Sequence, residues 1–200
     1  MAIARLWASL TTALRGSRFH VGRWAGEAEL RKWVMRGYDR ESGRTIPIRP
    51  DGYTELVWPD KTFVPFFIEV DMGTETNARV GRKLGAYQDL RREIARSDLN
   101  MRDFYLLIVT SGLGRMENLR RIAGKALSQD FCFLATLEDL HPSRVLAAWH
   151  DVNNTDLHLI GRFEHESGGG ESQQKDVDEE DDDDDDGIYY DDEDRESWLP

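Results

Sequence analysis

Three carboxylates offer the clearest chemistry in this chain. In the run Phe66-Phe67-Ile68-Glu69-Val70-Asp71, the alternation of a strand sends Phe66, Ile68 and Val70 to one face and Glu69 and Asp71 to the other. Asp51 opens the preceding extended segment. Antiparallel pairing through a turn near residues 59–62 sets its neighbourhood opposite residue 70, beside both acids. Like charges this close repel and raise one another's pKa unless a cation or hydrogen-bond donors neutralise them. A hard divalent ion, Mg2+ or Mn2+, is the natural neutraliser. Such an ion takes one or two carboxylates together with waters and phosphate oxygens, so Asp51, Glu69 and Asp71 are its candidate ligands over a nucleic-acid backbone. The same positions also suit acids that face solvent or pair with arginines.

Downstream, Glu75, Arg79, Lys83 and Tyr87 recur every four residues and form one helical stripe. Lys83 and Tyr87 are its members directed at the acids. Glu75 falls in the first turn, where the helix dipole favours any carboxylate. Upstream, Glu27 is a candidate outer ligand for metal or water, although beside Glu29 it also reads as a solvated surface acid.

These residues need a scaffold. Ile3, Leu6, Trp7, Leu10 and Leu14 have helical spacing and predict an amphipathic helix over 2–15, stopped at Gly16. A second helix is expected over 26–35 and a turn over 37–44. Extended segments at 45–49, 52–58 and 63–71, separated by Pro50-Asp51-Gly52 and Trp58-Pro59-Asp60-Lys61, outline a β-meander. Thr74 is placed to cap a helix reaching Arg96, with Val80, Leu84, Tyr87, Leu90 and Ile94 on its buried face. A strand at 104–110, a helix ending near Leu127, a strand at 131–136 and a short helix within 142–149 complete the order. Strands alternating with helices imply parallel pairings, so the expected fold is α/β: a mixed β-sheet flanked by helices. The organisation read from this is an N-terminal helical segment over 1–19, a domain over 20–150, a linker over 151–166 and a tail over 167–200.

The formal charge of -12 hides a division. Residues 171–200 hold sixteen Asp and Glu against Lys175 and Arg195, so the rest is slightly basic and the overall acidity does not argue against a nucleic-acid partner. From Ser167 the composition is glycine-rich and then acidic; it cannot bury enough apolar surface to fold and is expected to be disordered. The lone Cys132, within Phe131-Cys132-Phe133-Leu134, excludes an intrachain disulfide and reads as a buried thiol. Ala2–Leu14 contains Arg5 and no long apolar run, unlike a signal peptide or a membrane span, so a cytoplasmic protein is expected. The five histidines show no ligand spacing. Arg91, Arg92, Arg115, Arg120 and Arg121 are candidate phosphate contacts or simply solvated helix faces.

Asp51, then Glu69 on the next strand, flanked by helices bearing Glu27 and Lys83, resembles the PD-(D/E)xK nuclease core, with Pro50-Asp51 as its first element. More closely, Arg49-Pro50-Asp51-Gly52-Tyr53, Phe67-Ile68-Glu69-Val70-Asp71-Met72-Gly73-Thr74-Glu75, Lys83-Leu84-Gly85-Ala86-Tyr87 and Met116-Glu117-Asn118-Leu119-Arg120-Arg121 are similar to replication-relaxation family proteins over roughly residues 20–140. The resemblance implies a restriction-endonuclease-like fold and a DNA-associated protein of plasmids or other mobile elements, needed for replication and linked to DNA relaxation. It also implies a winged-helix DNA-binding region ahead of the domain, for which the helix over 2–15 leaves no room. The nuclease pattern places a lysine two residues after Glu69, where this chain has Asp71; Lys83 would supply that charge from the following helix.

The implied activity is metal-dependent phosphodiester cleavage: Asp51, Glu69 and Asp71 hold magnesium, while Lys83 stabilises charge on the phosphate. The alternative is a non-catalytic accessory factor that binds DNA or protein on a nuclease-like fold. The tail, with Ile188-Tyr189-Tyr190 and Trp198-Leu199-Pro200 among its acids, would recruit replication or mobilisation proteins, mimic phosphate on its own domain, or only solubilise the chain.

Overall fold

Tyr105-Leu106-Leu107-Ile108-Val109-Thr110 is apolar on both faces and too short for a core helix, the pattern of a strand covered from both sides. In a computed structural model, which describes residues 2–39, 42–96, 101–127 and 131–164, this run is fully buried at the centre of a seven-stranded sheet. In chain order the elements are α1 (Ala2–Ala13), β1 (His20–Gly26), α2 (Glu27–Leu30), β2 (Arg36–Asp39), β3 (Arg44–Pro47), β4 (Gly52–Val57) and β5 (Phe63–Asp71). There follow α3 (Asn77–Glu93) with a 3-10 turn (Ile94–Arg96), β6 (Tyr105–Thr110), α4 (Leu113–Ala126), β7 (Cys132–Thr136), β8 (Trp149–His150), β9 (Asp156–Leu157) and α5 (Leu159–Glu164). The sheet order is β1-β4-β5-β6-β7-β8-β9, with β2 and β3 forming a separate hairpin. β5, β6 and β7 are parallel neighbours and the outer pairs are antiparallel. The mixed helix-flanked sheet is as expected.

Period-two alternation divides the core cleanly. Phe67, Leu106, Ile108, Cys132 and Leu134 face α3 and α4, while Phe66, Ile68, Tyr105, Leu107, Phe133 and Ala135 face α1 and the buried Leu159 and Phe163 of α5. Val80, Leu84, Tyr87, Leu90 and Ile94 are all buried, as the spacing predicts. The cap of α3 is Thr76, whose hydroxyl accepts the Arg79 N–H at 3.4 Å. Thr74 and Glu75 therefore precede the helix. Cys132 is buried and free.

Five expectations need correction. Residues 20–26 form a strand, and it is this strand, not 45–49, that joins the meander by pairing with β4. Its glycines conceal it from pattern reading: a Cβ at Gly22 would lie 2.6 Å from Val57, so the bulged edge requires the residue that strand propensity disfavours. The helix expected over 26–35 shrinks to α2, and the expected turn over 37–44 is the β2–β3 hairpin, which packs on α3. Within 142–149 the backbone makes turns and then β8 rather than a helix. Residues 156–164 are not a linker, since β9 extends the sheet and α5 seals the second core. Among the described residues no helix is long and apolar enough to cross a membrane. The expected acidic, disordered tail lies outside the described residues.

Gly37 fixes the hairpin to α3: a Cβ there would fall 2.1 Å from the Ala86 carbonyl oxygen, inside any van der Waals contact. Gly85, in the middle of α3, has open space around its missing Cβ. Gly37→Ala is therefore expected to destabilise the chain by about 1–3 kcal/mol through forced overpacking. Gly85→Ala should stabilise it by about 0.5–1 kcal/mol through helix propensity. Urea denaturation of the two variants checks both signs.

Candidate functional site

β4 and β5 pair antiparallel with Gly52 opposite Ile68, which sets Asp51 at the mouth of β4 beside Glu69. The register is tied at both ends of the Asp51 residue: its N–H donates to the Ile68 carbonyl at 3.0 Å, and its Oδ2 accepts the Val70 N–H at 2.8 Å. Glu69 lies on the face covered by α3 and is only 6% exposed. Helical spacing then brings two partners from α3 over the strand. Lys83 Nζ donates to Glu69 Oε2, and Tyr87 Oη donates to Oε1 at 2.5 Å.

Asp71, on the same face of β5, takes a different partner. Arg115, near the start of α4, forms a bidentate pair with it, Nε to Oδ1 at 3.0 Å and Nη2 to Oδ2 at 2.8 Å. The same guanidinium reaches the Glu75 carbonyl at 3.1 Å and Asn77 Oδ1 at 2.9 Å, so it joins the end of β5, the entry to α3 and the start of α4. A cavity of about 160 Å3 is left between these elements, and Asp51, Glu69, Asp71, Thr74, Glu75 and Lys83 are its polar lining. Glu75 also pairs with Arg79 at 3.0 Å. Glu27 is not in this group: it opens α2 at the surface and pairs with Arg31 at 2.7 Å.

The structure thus brings Asp51, Glu69, Asp71, Glu75, Lys83 and Tyr87 to one place and leaves Glu27, a candidate read from the sequence, outside. Sequence reasoning missed the role of Arg115, read there as a phosphate contact or a solvated helix residue. A salt bridge across 44 positions has no local signal, and only the parallel β5–β6 pairing followed by α4 makes it. Arg91 is bound to Asp103, Arg92 to Asp89 and Arg120 to Glu117.

Burial pushes the Glu69 carboxyl up to about 7, with the negative charge of Asp51 adding to the rise against the opposing effects of Lys83 and Tyr87. Burial also works against the Lys83 charge, but Glu69 and then Asp51 outweigh it and hold that ammonium above its ordinary pKa. For Asp71 burial is again outweighed, here by Arg115 and by the Gly73 N–H at 2.7 Å, and its carboxyl is lowered. Among the described residues no three His, Cys, Asp or Glu side chains are arranged to hold a metal ion. Arg115 occupies both oxygens of Asp71, which leaves Asp51 and Glu69 as adjacent acids, a donor pair of the kind that hard divalent ions take along with water.

Between 4.5 and about 7 the folded chain retains a proton on Glu69 that the unfolded chain has lost, so this residue makes stability fall as pH rises through that window. Glu69→Gln removes the titration. The stability of the wild type relative to Glu69→Gln is expected to drop by a few kcal/mol across the window in urea denaturation at a series of pH values; parallel curves would contradict the assignment.

Comparison with known proteins bears on the whole N-terminal half. The sequence profile of the replication-relaxation family matches residues 1–102, from α1 through β5 and α3, including Asp51, Glu69, Asp71, Lys83 and Tyr87. The Met116–Arg121 segment lies beyond that match. Neither the curated proteins nor the solved structures contain a match to this chain. On a match spanning half of its length, and on the acids and helix it encloses, this chain belongs to the replication-relaxation family.

Proposed function

We propose that the chain is a DNA-associated protein of plasmid or mobile-element replication and relaxation, and that the Asp51–Glu69–Lys83 cluster is a nuclease-like site acting on a phosphodiester. The observation that carries this reading is the convergence of Lys83 on Glu69 beside Asp51. An ammonium at that point meets the electrostatic need of the reaction whether it comes from the strand or from the helix, because only its position matters. Further support comes from the order of elements: a helix, three antiparallel strands (β1, β4, β5), a helix and then β6 parallel to β5. That is the order a PD-(D/E)xK core would have, with Asp51 opening the second strand and Glu69 on the third.

Asp51 and Glu69 are the residues that would hold Mg2+ or Mn2+, and such an ion would supply Lewis-acid activation of water and phosphate. The chain's own residues do the rest. The Val70 N–H fixes Asp51, and Tyr87 orients Glu69. Glu69 would act there as a holder of the ion and not as the base, so the attacking water gives its proton to solvent. The water oxygen bonds to phosphorus, the bridging P–O bond breaks, and the departing oxygen takes a proton from solvent. Lys83 stays charged and faces the negative charge that develops on the phosphate.

One observation favours a second reading, a non-catalytic accessory factor: both Glu69 oxygens and both Asp71 oxygens already have partners within the protein, as in a self-neutralised structural cluster. Conversion of supercoiled plasmid to relaxed or linear form with Mg2+ or Mn2+ decides between them. Cleavage is expected in the wild type and a loss of 100-fold or more, order of magnitude for removing one such group, in Asp51→Ala and Glu69→Ala. No cleavage by any of the three, with DNA binding intact, supports the accessory reading. Mg2+ is also expected to raise the melting temperature of the wild type and not of Asp51→Ala, since a ligand of the folded state stabilises by mass action.

A further inference from the structure

Three concavities adjoin along one side of α3. The site cavity shares Glu75 and Lys83 with a depression of about 360 Å3. That depression shares Asp39 and Arg82 with a groove of about 540 Å3. The β2–β3 hairpin, through Tyr38 and Asp39, walls the groove on one side, and the end of α4, through Lys125–Leu127, walls it on the other. Its floor is the α3 backbone at Ala78, Gly81 and Gly85. From Ala78 to Arg92 the floor runs about 20 Å at the rise of an α-helix.

Along the depression and the groove, charge has one dominant sign. Arg49, Arg79, Arg82, Lys83, Arg92 and Lys125 line them, against Asp39 and Glu75. Asp39 accepts the Ser42 hydroxyl at 2.6 Å and Glu75 pairs with Arg79, while Lys83 pairs with Glu69 and the exposed Arg92 with Asp89 on its own helix, a surface pair that a phosphate can replace; Arg49 and Lys125 are exposed. The two helix glycines sharpen the point. Each costs about 1 kcal/mol relative to alanine in a helix interior, and at Gly85 no neighbour lies close enough for packing to require it. What the missing side chains provide is depth. On the hairpin wall Tyr38, 48% exposed, presents a large aromatic ring to the groove.

We propose that this track seats a single strand of DNA, its phosphates on the cations along α3, one unstacked base against Tyr38, and its path leading past Lys83 to the acids. The inference rests on the DNA-directed reading of the same site and adds to it the surface and the strandedness. Cations in a walled groove follow one backbone, and an aromatic face can stack only on a base free of its duplex neighbours. The hairpin, tied to α3 at Gly37, is then the element that makes the substrate channel.

Fluorescence anisotropy of a labelled mixed-sequence strand, alone or annealed to its complement, tests this with the full chain in EDTA, where no cleavage can occur. The exposed triple variant Arg49→Ala/Arg92→Ala/Lys125→Ala is expected to bind the single strand about tenfold or more weakly. Its dependence of log affinity on log salt should be shallower by about 2, from three lost phosphate contacts. Tyr38→Ala should weaken the single strand about tenfold and the duplex far less. Unchanged affinity and salt slope in the triple variant, with its melting temperature preserved, overturns the track; equal losses on both DNA forms in Tyr38→Ala overturn the strandedness. Groove-dependent binding by a chain that does not cleave plasmid sustains the track while rejecting the nuclease reading. Cleavage with groove-independent binding does the reverse.

Discussion

A carboxylate taken out of water must be met by charge or donors, and at Glu69 this requirement organises the whole face of the sheet. Its two oxygens are met by Lys83 and Tyr87, one turn apart on α3. The contact fixes the rotation of that helix, since a few tens of degrees would carry both groups away. The apolar face of α3 agrees with the same rotation through Val80, Leu84 and Leu90. Polar and apolar demands therefore select one docking of α3 on the sheet.

Arg115 performs the corresponding task at the end of β5. By holding both oxygens of Asp71 and the Glu75 carbonyl, it sets the exit of the strand and the entry of α3. The two acids of one strand thus differ in kind. Asp71 is fully compensated and lowered, whereas Glu69 is undercompensated and raised. An acid kept near neutrality beside a fixed Asp51 is an arrangement found both at functional sites and in structural ion-pair networks.

The groove beside the site depends on the same helix. α3 carries its apolar residues toward the sheet and its glycines and arginines outward, with the hairpin standing on its backbone at Gly37. Family membership spans these elements as well, because the match runs from α1 to beyond α3. The acids, the lysine and the hairpin wall are therefore parts of one region of the chain.

Much of this was legible in the residues. Alternation in Phe66–Asp71 put Glu69 and Asp71 on one face, four-residue spacing aligned Lys83 with Tyr87, and the apolar runs at 105–110 and 132–136 required parallel strands beneath helices. These are short-range consequences of backbone geometry and can be read from the order of residues alone. Other features have no local signal. The edge strand over 20–26 is hidden by Gly22, whose need appears only against Val57. The hairpin looks like a turn until α3 receives it, and α5 looks like a linker until its Phe163 meets the far core. The fate of the acids was also undecided: repulsion among three carboxylates fixes that they need partners, but not which. Only the tertiary structure assigned Arg115 to Asp71 and left Asp51 with Glu69, because those partners lie tens of residues apart and meet only when β5, β6 and α4 are stacked in place.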